Sequence, residues 1–140
     1  MKFVLDTDLV VAAMRSPLGA SAAIVRAARQ GQVTLLLTVP LAIEYEAVCR
    51  QAEHRLAAGL SVRQVGTFLD AVVAVAEPVE THFLWRPQLH DPNDETVLQA
   101  AVNGGADALV TFNLRDFWTA PKRFGVDLLL PRAAIARIKQ

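Results

Sequence analysis

The stretch "PNDETVLQAAVNGGADALVTFN", residues 92–113, places a helix and a strand in direct succession. Pro92 suits the first position of a helix, and the pair Gly104-Gly105 suits its end. The apolar run "ADALVTF" that follows has the length of a strand and shows no alternation between polar and apolar residues. Such a run is typical of a strand that is buried on both faces of a parallel sheet.

Helices and further strands are predicted on both sides of this stretch. Apolar periodicity and end signals predict helices over 21–31, over 40–59 from Pro40 to Gly59, after a cap at Ser61, and from Pro131 onward. The helix after Ser61 is expected to bury Val62, Val65, Phe68, Leu69, Val72 and Val73. Three more apolar runs predict strands: "KFVL" (2–5), "VTLLLTV" (33–39) and "VDLLL" (126–130).

This alternation of strands and helices defines the fold class. The chain has 140 residues, of which 53% are hydrophobic, and this is enough for one compact core. We therefore predict a single α/β domain over residues 1–140, with helices on both faces of a mainly parallel central sheet.

Composition limits the function classes. The formal net charge is zero, so the chain lacks the basic excess that supports non-specific binding to nucleic acids or membranes. The single cysteine, Cys49, excludes an internal disulfide and a multi-cysteine zinc site. Asp6 and Asp8 interrupt the apolar N-terminus, which argues against a signal peptide or a membrane span there. We expect a cytoplasmic protein without membrane attachment.

Polar residues follow two of the predicted strands. Asp6 comes directly after the first strand, while Thr111, Asn113 and Asp116 follow the strand "ADALVT". Ligand crevices in such sheets lie outside the carboxyl ends of the strands, so these side chains are candidates for a site. The structural alternatives are a helix cap for Asp6 and ordinary turn chemistry for the later residues. Asp8 either supports the site or begins the first helix.

Glu44 interrupts the apolar stripe of the helix predicted over 40–59. A carboxylate turned toward a core is costly unless it is paired, protonated or bound to a metal, so a structural salt bridge and a site residue both remain open for Glu44. Glu46 differs because Arg50 lies one turn further along, which predicts a solvated ion pair.

Three acids, Asp91, Asp94 and Glu95, stand at the start of the helix that Pro92 begins. Asp91 is expected to cap this helix, and Glu95 to lie on its solvated face. Asp94 precedes Val97 and Leu98 by three and four residues, so it is expected on the buried stripe, directed toward the crevice.

Together these observations predict a metal site. Asp6, Glu44, Asp94 and Asp116 would repel one another in one crevice unless a cation neutralises them. Hard oxygen ligands without paired His or Cys favour Mg²⁺ or Mn²⁺ over zinc. The three histidines, His54, His82 and His90, show no ligand spacing.

Four stretches of the chain resemble the PIN domain: "FVLDTDLVV", "PLAIEYEAV", "RPQLHDPNDETVLQAAVNGGADALVTFNLRDF" and "VDLLLP". They look particularly like the stand-alone PIN proteins grouped with toxin components of VapBC-type toxin–antitoxin systems. The resemblance covers essentially the whole chain and implies a three-layer α/β/α sandwich. By this resemblance Asp6, Glu44, Asp94 and Asp116 match the acids of the family, and Thr111 and Asn113 match its polar "TxN" element. The family commonly has Asn where Asp8 stands, so the role of this position is open.

The resemblance implies a Mg²⁺- or Mn²⁺-dependent endoribonuclease with an antitoxin as partner and a homodimeric assembly. A carboxylate-held cation lowers the pKa of a bound water and stabilises the charge that develops on the phosphate. The expected principal ligands are Asp6 and Asp94, with Glu44 and Asp116 completing the pocket directly or through water.

RNA binding also requires cations and stacking surfaces near the acids. The sequence offers these as Arg115, Phe117, Trp118, Lys122 and Arg123, with Trp85 and Arg86 as additions. Phe117 and Trp118 could instead lie in the core or at a dimer interface, and for Phe117 this alternative is favoured. An outward apolar patch in the region 56–75 is expected to bind an antitoxin or a second subunit.

Two rival functions remain open. The stretch "FVLDTDLV" also looks like the DxD motif of haloacid-dehalogenase-type phosphohydrolases, in which Asp6 would be the nucleophile and Asp8 the acid/base. That chemistry needs a lysine at the site, whereas Lys2, Lys122 and Lys139 are poorly placed for it. The second rival is a catalytically inactive PIN module that only binds a partner or RNA.

Overall fold

The computed structural model describes residues 1–82 and 87–140. In these residues five strands form one sheet in which every pair of neighbours is parallel. The strands are β1 (Lys2–Leu5), β2 (Thr34–Leu37), β3 (Ala76–Pro78), β4 (Ala108–Val110) and β5 (Asp127–Leu129). Helices flank the sheet, so the predicted α/β/α sandwich is confirmed and its sheet is parallel throughout.

The connections between the strands are helical. The described residues form α1 (Thr7–Arg15), α2 (Ala20–Arg29), α3 (Val39–Cys49), α4 (Ala52–Ala58), α5 (Val62–Val75), α6 (Pro92–Asn103), α7 (Leu114–Phe117), α8 (Ala120–Arg123) and α9 (Pro131–Ile138). The predicted starts at Pro92 and Pro131 are confirmed. Ser61 caps α5 in a full capping box with Gln64, as its position before the apolar stripe indicated.

The order of the strands in the sheet is β3-β2-β1-β4-β5. The chain moves from β1 toward one edge through β2 and β3, then crosses back to place β4 on the other side of β1. The order therefore reverses between β1 and β4. In parallel sheets such a reversal opens a crevice at the carboxyl ends of the two strands.

The two strands beside this reversal form the centre of the core. Phe3 and Val4 of β1 are fully buried, as are Leu109 and Val110 of β4. The unbroken apolar runs of β1 and β4 therefore reflect burial on both faces of the sheet, as predicted. The edge strand β5 is less buried, because Asp127 is exposed and Leu128 and Leu129 are half-buried.

The prediction of a single helix over residues 40–59 was wrong. The chain forms α3 and α4 instead, with Arg50 ending the first and an extended Gln51 beginning the second. No Gly or Pro stands at this break, so the packing of each helix against its own neighbours overrides local helix propensity. Gly59 does end α4, in the left-handed conformation that glycine adopts readily.

Two further features differ from the sequence prediction. Strand β3 was not predicted, because a three-residue strand containing Glu77 and Pro78 has no apolar run. The stripe of α5 is narrower than expected: Val62 and Val73 are 62% and 51% exposed, although Val65, Leu69 and Val72 are buried and Phe68 is half-buried. The two exposed valines are therefore surface residues rather than core residues.

The length and apolar character of the helices bear on whether one of them could span a membrane. In residues 1–82 and 87–140 no single helix is long and apolar enough to cross a bilayer, although the bent pairs α1 with α2 and α4 with α5 meet the length and composition criteria together.

Candidate functional site

Asp6 lies at the point where β1 ends and α1 begins. Its backbone N–H donates to Val110 O of β4 at 2.9 Å, which continues the pairing of the two central strands. Its Oδ1 accepts a hydrogen bond from Thr7 N at 2.8 Å, and its Oδ2 accepts one from Thr111 Oγ1 at 2.7 Å. Asp6 therefore caps α1 and also lies at the crevice, so the two interpretations of this residue are compatible. The residue is only 6% exposed.

A chain of hydrogen bonds extends from Asp6 across the strand reversal. The fully buried Thr111 hydroxyl donates to Asp6 and accepts from Asn113 N at 2.9 Å. Asn113 Nδ2 in turn donates to Asp8 Oδ2 at 2.7 Å. The second oxygen of Asp8, Oδ1, is buried and has no hydrogen-bond partner in the described residues. This acceptor is unsatisfied when Asp6 and Asp8 are both charged, whereas a proton on Asp8 would link the two side chains by a hydrogen bond.

Glu44 faces the same crevice from α3. Thr7 Oγ1 donates to Glu44 Oε2 at 3.0 Å, and the side chain is half-buried. Among the described residues Glu44 forms no ion pair, so the salt-bridge alternative is not observed there. The predicted surface pair of Glu46 with Arg50 is present at 3.2 Å.

The three acids of α6 occupy three different environments. Asp91 caps the helix by accepting from Asn93 N at 2.9 Å, as predicted. Asp94 is half-buried and faces the crevice. Glu95 contradicts the prediction of a solvated side chain: it is 7% exposed. Its Oε1 accepts hydrogen bonds from the backbone N–H groups of Gln88 and of Leu89, the latter at 2.6 Å.

The burial of Glu95 has a physical cause that lies outside its helix. The segment before α6 turns back so that two backbone N–H groups point at the carboxylate, which compensates part of its desolvation. Helical spacing alone contains no signal for donors contributed by another segment. Glu95 thus holds the segment around residues 88–89 next to the site.

A cavity of about 670 Å³ is lined by the four acids that were predicted to converge and by Asp8 and Asn113. The wall includes the acids Asp6, Asp8, Glu44, Asp91, Asp94 and Asp116, together with Asn113. Asp116 enters from the short helix α7 and is exposed. Thr111 lies behind Asp6 rather than on the wall. The four acids expected at one crevice are therefore placed around one cavity.

Burial and crowding of negative charge shift the pKa values of Asp6, Asp8, Glu44 and Asp94 upward. Desolvation, followed by the charges of Asp6, Asp91, Asp116 and Glu44, raises the pKa of Asp94 to about 7. Desolvation and then Asp6 raise the pKa of Asp8 to about 7 as well. The pKa of Asp6 and that of Glu44 are also raised, mainly by burial. A cation in the cavity would favour the charged forms of all four groups.

The donor set fits a hard, hydrated cation. Within the described part of the chain no group of three or more His, Cys, Asp or Glu side chains is close enough together to hold a metal ion. The cavity nevertheless presents carboxylate and amide oxygens, among them the unsatisfied Asp8 Oδ1. Mg²⁺ usually keeps several water ligands and uses only one or two carboxylates directly. The residues therefore fit Mg²⁺ or Mn²⁺ bound partly through water.

A second cavity of about 540 Å³ adjoins the first and shares Asp91, Asp94 and Asp116 with it. Arg115 and Trp118 lie on its wall. Trp118 is 73% exposed and has a φ of 52°, an unusual backbone conformation for a bulky residue.

The remaining candidates for RNA binding lie elsewhere. Phe117 is fully buried, so its alternative as a core residue is confirmed. Lys122 and Arg123 are exposed on α8 and line neither cavity, and Arg123 donates to Gln88 Oε1 at 3.1 Å. Trp85 and Arg86 lie outside the described residues.

Sequence reasoning missed several cavity residues, among them Thr7, Arg15 and His54. Arg15 had a detectable signal, because it follows Asp8 by seven residues on the same face of α1. His54 had none, since it reaches the cavity only through the packing of α4 beside α1.

The family model of the PIN domain matches residues 2–115. This chain belongs to the PIN domain family. PIN domains are generally nucleases that use divalent metal ions, in agreement with an oxygen-lined cavity at the carboxyl edge of the sheet. The rival phosphohydrolase lacks its lysine: in the described residues no lysine lines either cavity, and Lys2 pairs with Glu77 at 3.5 Å.

This PIN domain also resembles a solved structure, titled as the crystal structure of VapBC2 from Rickettsia felis bound to a DNA fragment from their promoter. The two chains share 17% identity, and the match covers 93% of this chain and 98% of the other with a TM-score of 0.61. At this identity the similarity supports the fold. A comparison with curated proteins gives no match.

Proposed function

We propose that this PIN domain is a VapC-like toxin that hydrolyses RNA internally with Mg²⁺ or Mn²⁺. The observation that carries the proposal is the convergence of Asp6, Glu44, Asp94 and Asp116 on one cavity at the strand reversal. Carboxylates with upward-shifted pKa values in one cleft are characteristic of sites that bind cations or perform acid–base chemistry.

The roles of the individual residues follow from their surroundings. Asp6 and Asp94 would be the principal ligands, and Glu44 and Asp116 would bind directly or through water. When bound, the cation supplies Lewis-acid stabilisation and an activated water. Thr111 holds one oxygen of Asp6 in place, and Asn113 holds one oxygen of Asp8. These hydrogen bonds fix the direction of the carboxylates before any ligand enters.

The substrate surface would lie in the second cavity. Trp118 presents an exposed aromatic face on which an RNA base can stack, and Arg115 offers a charge for a phosphate. Lys122 and Arg123 would contact more distant phosphates, because they lie outside both cavities. Single-stranded RNA suits such a surface since its bases are free to stack.

An antitoxin and a second copy of the chain are the proposed protein partners, and the cytoplasm is the proposed location. An outward apolar surface between α3 and α5 supports the partners: Val39, Ile43 and Val73 line one shallow groove there and are exposed. Exposed apolar patches of this kind commonly mark protein interfaces. Sedimentation equilibrium that detects only monomer would contradict the dimer, and no copurification with the product of an adjacent small gene would contradict the antitoxin.

The first test is cleavage of a panel of structured and single-stranded RNAs by purified Asp94→Asn. We expect the variant to lose at least about a hundredfold in metal-dependent rate, because even indirect supports of a metal ligand contribute 10–100-fold. Asp70→Asn is the matched control, since Asp70 is an exposed acid on α5 that lines neither cavity.

The outcomes separate the candidate functions. Full cleavage by Asp94→Asn would overturn the assignment of the site. No cleavage by the wild type with either Mg²⁺ or Mn²⁺, on any RNA of the panel, would favour the inactive binding module.

A further inference from the structure

One wall of the larger cavity is a single face of α1. Asp8, Val11, Ala12 and Arg15 all line the cavity, and their spacing of three, four and seven residues places them on the same side of the helix. Asp8 and Arg15 are separated by about 10 Å along the axis at 1.5 Å per residue. The cavity therefore extends from the acids at the start of α1 to a cation at its end.

Arg15 is positioned by an imidazole rather than by a carboxylate. Its Nη1 lies 3.2 Å from Nδ1 of His54, which is on α4 and lines the same cavity. A guanidinium only donates hydrogen bonds, so Nδ1 accepts and the ring proton is on Nε2. None of the ion pairs formed by residues 1–82 and 87–140 involves Arg15. Several N–H donors of an exposed guanidinium thus remain for a ligand.

The surface between the acids and Arg15 is apolar. Val11 and Ala12 of α1 lie on one side and Val48 of α3 on the other. Along the cavity the chemistry therefore changes from carboxylates to aliphatic side chains and then to a guanidinium. An RNA strand can follow the same order. Its reacting phosphate would lie at the acids, the adjoining sugar and base would lie on the aliphatic wall, and the next phosphate would lie at the Arg15 guanidinium.

We infer that Arg15 binds the phosphate adjacent to the cleaved one, and that His54 is a positioning residue that directs the guanidinium. The inference rests on the proposed function, because it takes the acids as the point of cleavage. It adds a subsite on the side of the acids opposite to Arg115 and Trp118, which line the other cavity. The competing explanation is that the contact only ties α1 to α4.

The test compares Arg15→Gln with Arg15→Lys and with the control Arg29→Gln. Arg29 is an exposed arginine in the last turn of α2, as Arg15 is in α1, but it does not line the cavity. Each substitution is made in the Asp94→Asn chain to prevent cleavage. Binding of a fluorescein-labelled single-stranded oligoribonucleotide is then measured over a series of KCl concentrations at constant Mg²⁺.

We expect Arg15→Gln to weaken binding about tenfold, as the loss of one charge-assisted hydrogen bond does. The plot of the logarithm of the association constant against the logarithm of the salt concentration has a negative slope. Its magnitude should decrease by about 0.7, the value for one phosphate contact on a single strand. Arg15→Lys should keep the slope, and so should His54→Ala, which loses affinity because the retained charge is no longer directed. Arg29→Gln should change neither quantity.

A purely structural contact would give a different pattern. Arg15→Gln would then lower the thermal unfolding temperature while leaving affinity and slope unchanged, and this would overturn the inference. In the otherwise wild-type chain we expect Arg15→Gln to raise KM for RNA with a smaller change in kcat. Normal kinetics in that variant would overturn the inference while the proposed nuclease stands, whereas absence of cleavage and of oligonucleotide binding by the parent chains would remove both.

Discussion

The cavity has two halves that are held in different ways. The strand half consists of Asp6, Asp8, Thr111 and Asn113, which hydrogen bonds connect across β1 and β4. The helix half consists of Asp94 and Asp116, whose side chains accept no hydrogen bond from the described residues. The first half is organised by the protein itself. The second half contributes charge that the protein leaves uncompensated.

This difference separates two sources of free energy. Hydrogen bonds in the strand half stabilise the folded chain with or without a ligand. Desolvation, followed by repulsion from neighbouring carboxylates of which Asp6 is the strongest, destabilises the folded chain with Asp94 charged until protons or a cation neutralise it, as the pKa of Asp94 at about 7 indicates. Removal of the Thr111 hydroxyl and removal of the Asp94 charge should therefore change stability in opposite directions, and three measurements test the comparison.

The largest effect is expected from metal titration. Binding to the folded state alone raises the free energy of unfolding by about 2.7 kcal/mol at a concentration of 100 times Kd. We expect Mn²⁺ to raise the thermal unfolding temperature of the wild type, with a much smaller rise in Asp94→Asn. Absence of any shift at millimolar metal would mean that the helix half does not bind a cation.

The next effect is expected from Thr111→Val in the strand half. The substitution leaves Asp6 Oδ2 without its buried donor, which costs about 1–3 kcal/mol in the free energy of unfolding. Chemical denaturation of the metal-free protein measures this loss. Thr67→Val is the matched control, because the exposed Thr67 hydroxyl donates only to Arg63 O within α5. Equal effects of the two substitutions would contradict the role of Thr111.

The third effect is expected from pH in the metal-free protein, and solvent screening reduces it because Asp94 is only half-buried. The folded-state pKa values of Asp8 and Asp94 lie at about 7, above the ordinary value of 3.8, so the folded state binds more protons between these limits. The contribution of the two groups to stability is therefore present at acid pH and is lost as pH rises toward about 7.

Denaturation of the metal-free wild type at several pH values measures this slope. Asp94→Asn should flatten it and raise stability at neutral pH, because one repelling charge is removed. A stability that increases from pH 5 to pH 7 to the same extent in both chains would contradict the assignment of repulsion to the helix half.

The separate elements of the fold were predictable to different degrees. The strand of residues 2–5 and the helix ends at Pro92, Gly59 and Ser61 depend on neighbours in the sequence, and the structure has them where the pattern indicated. The break at Arg50 and Gln51 was not predictable, because it depends on how α3 and α4 pack. Strand β3 depends on pairing with β2, which a run of three residues does not reveal.

The acids of α6 show the same limit at the site. Helical spacing correctly directed Asp94 toward the crevice and identified Asp91 as the cap. It wrongly directed Glu95 to solvent, since the N–H groups that bury this side chain come from residues 88 and 89 outside the helix. Helical spacing and capping signals describe a single helix, whereas the burial of a carboxylate depends on hydrogen-bond donors from another segment of the chain.

The sequence by itself determined the parallel α/β class and the carboxyl-end position of Asp6, and it predicted oxygen ligands for a cation, because these follow from local hydrophobic pattern and residue chemistry. Only the tertiary structure decided that β4 lies beside β1, so that Thr111 meets Asp6, and that α4 brings His54 to Arg15. Both contacts join residues far apart in the chain. Their formation depends on the order of the strands and the packing of the helices, which no local pattern encodes.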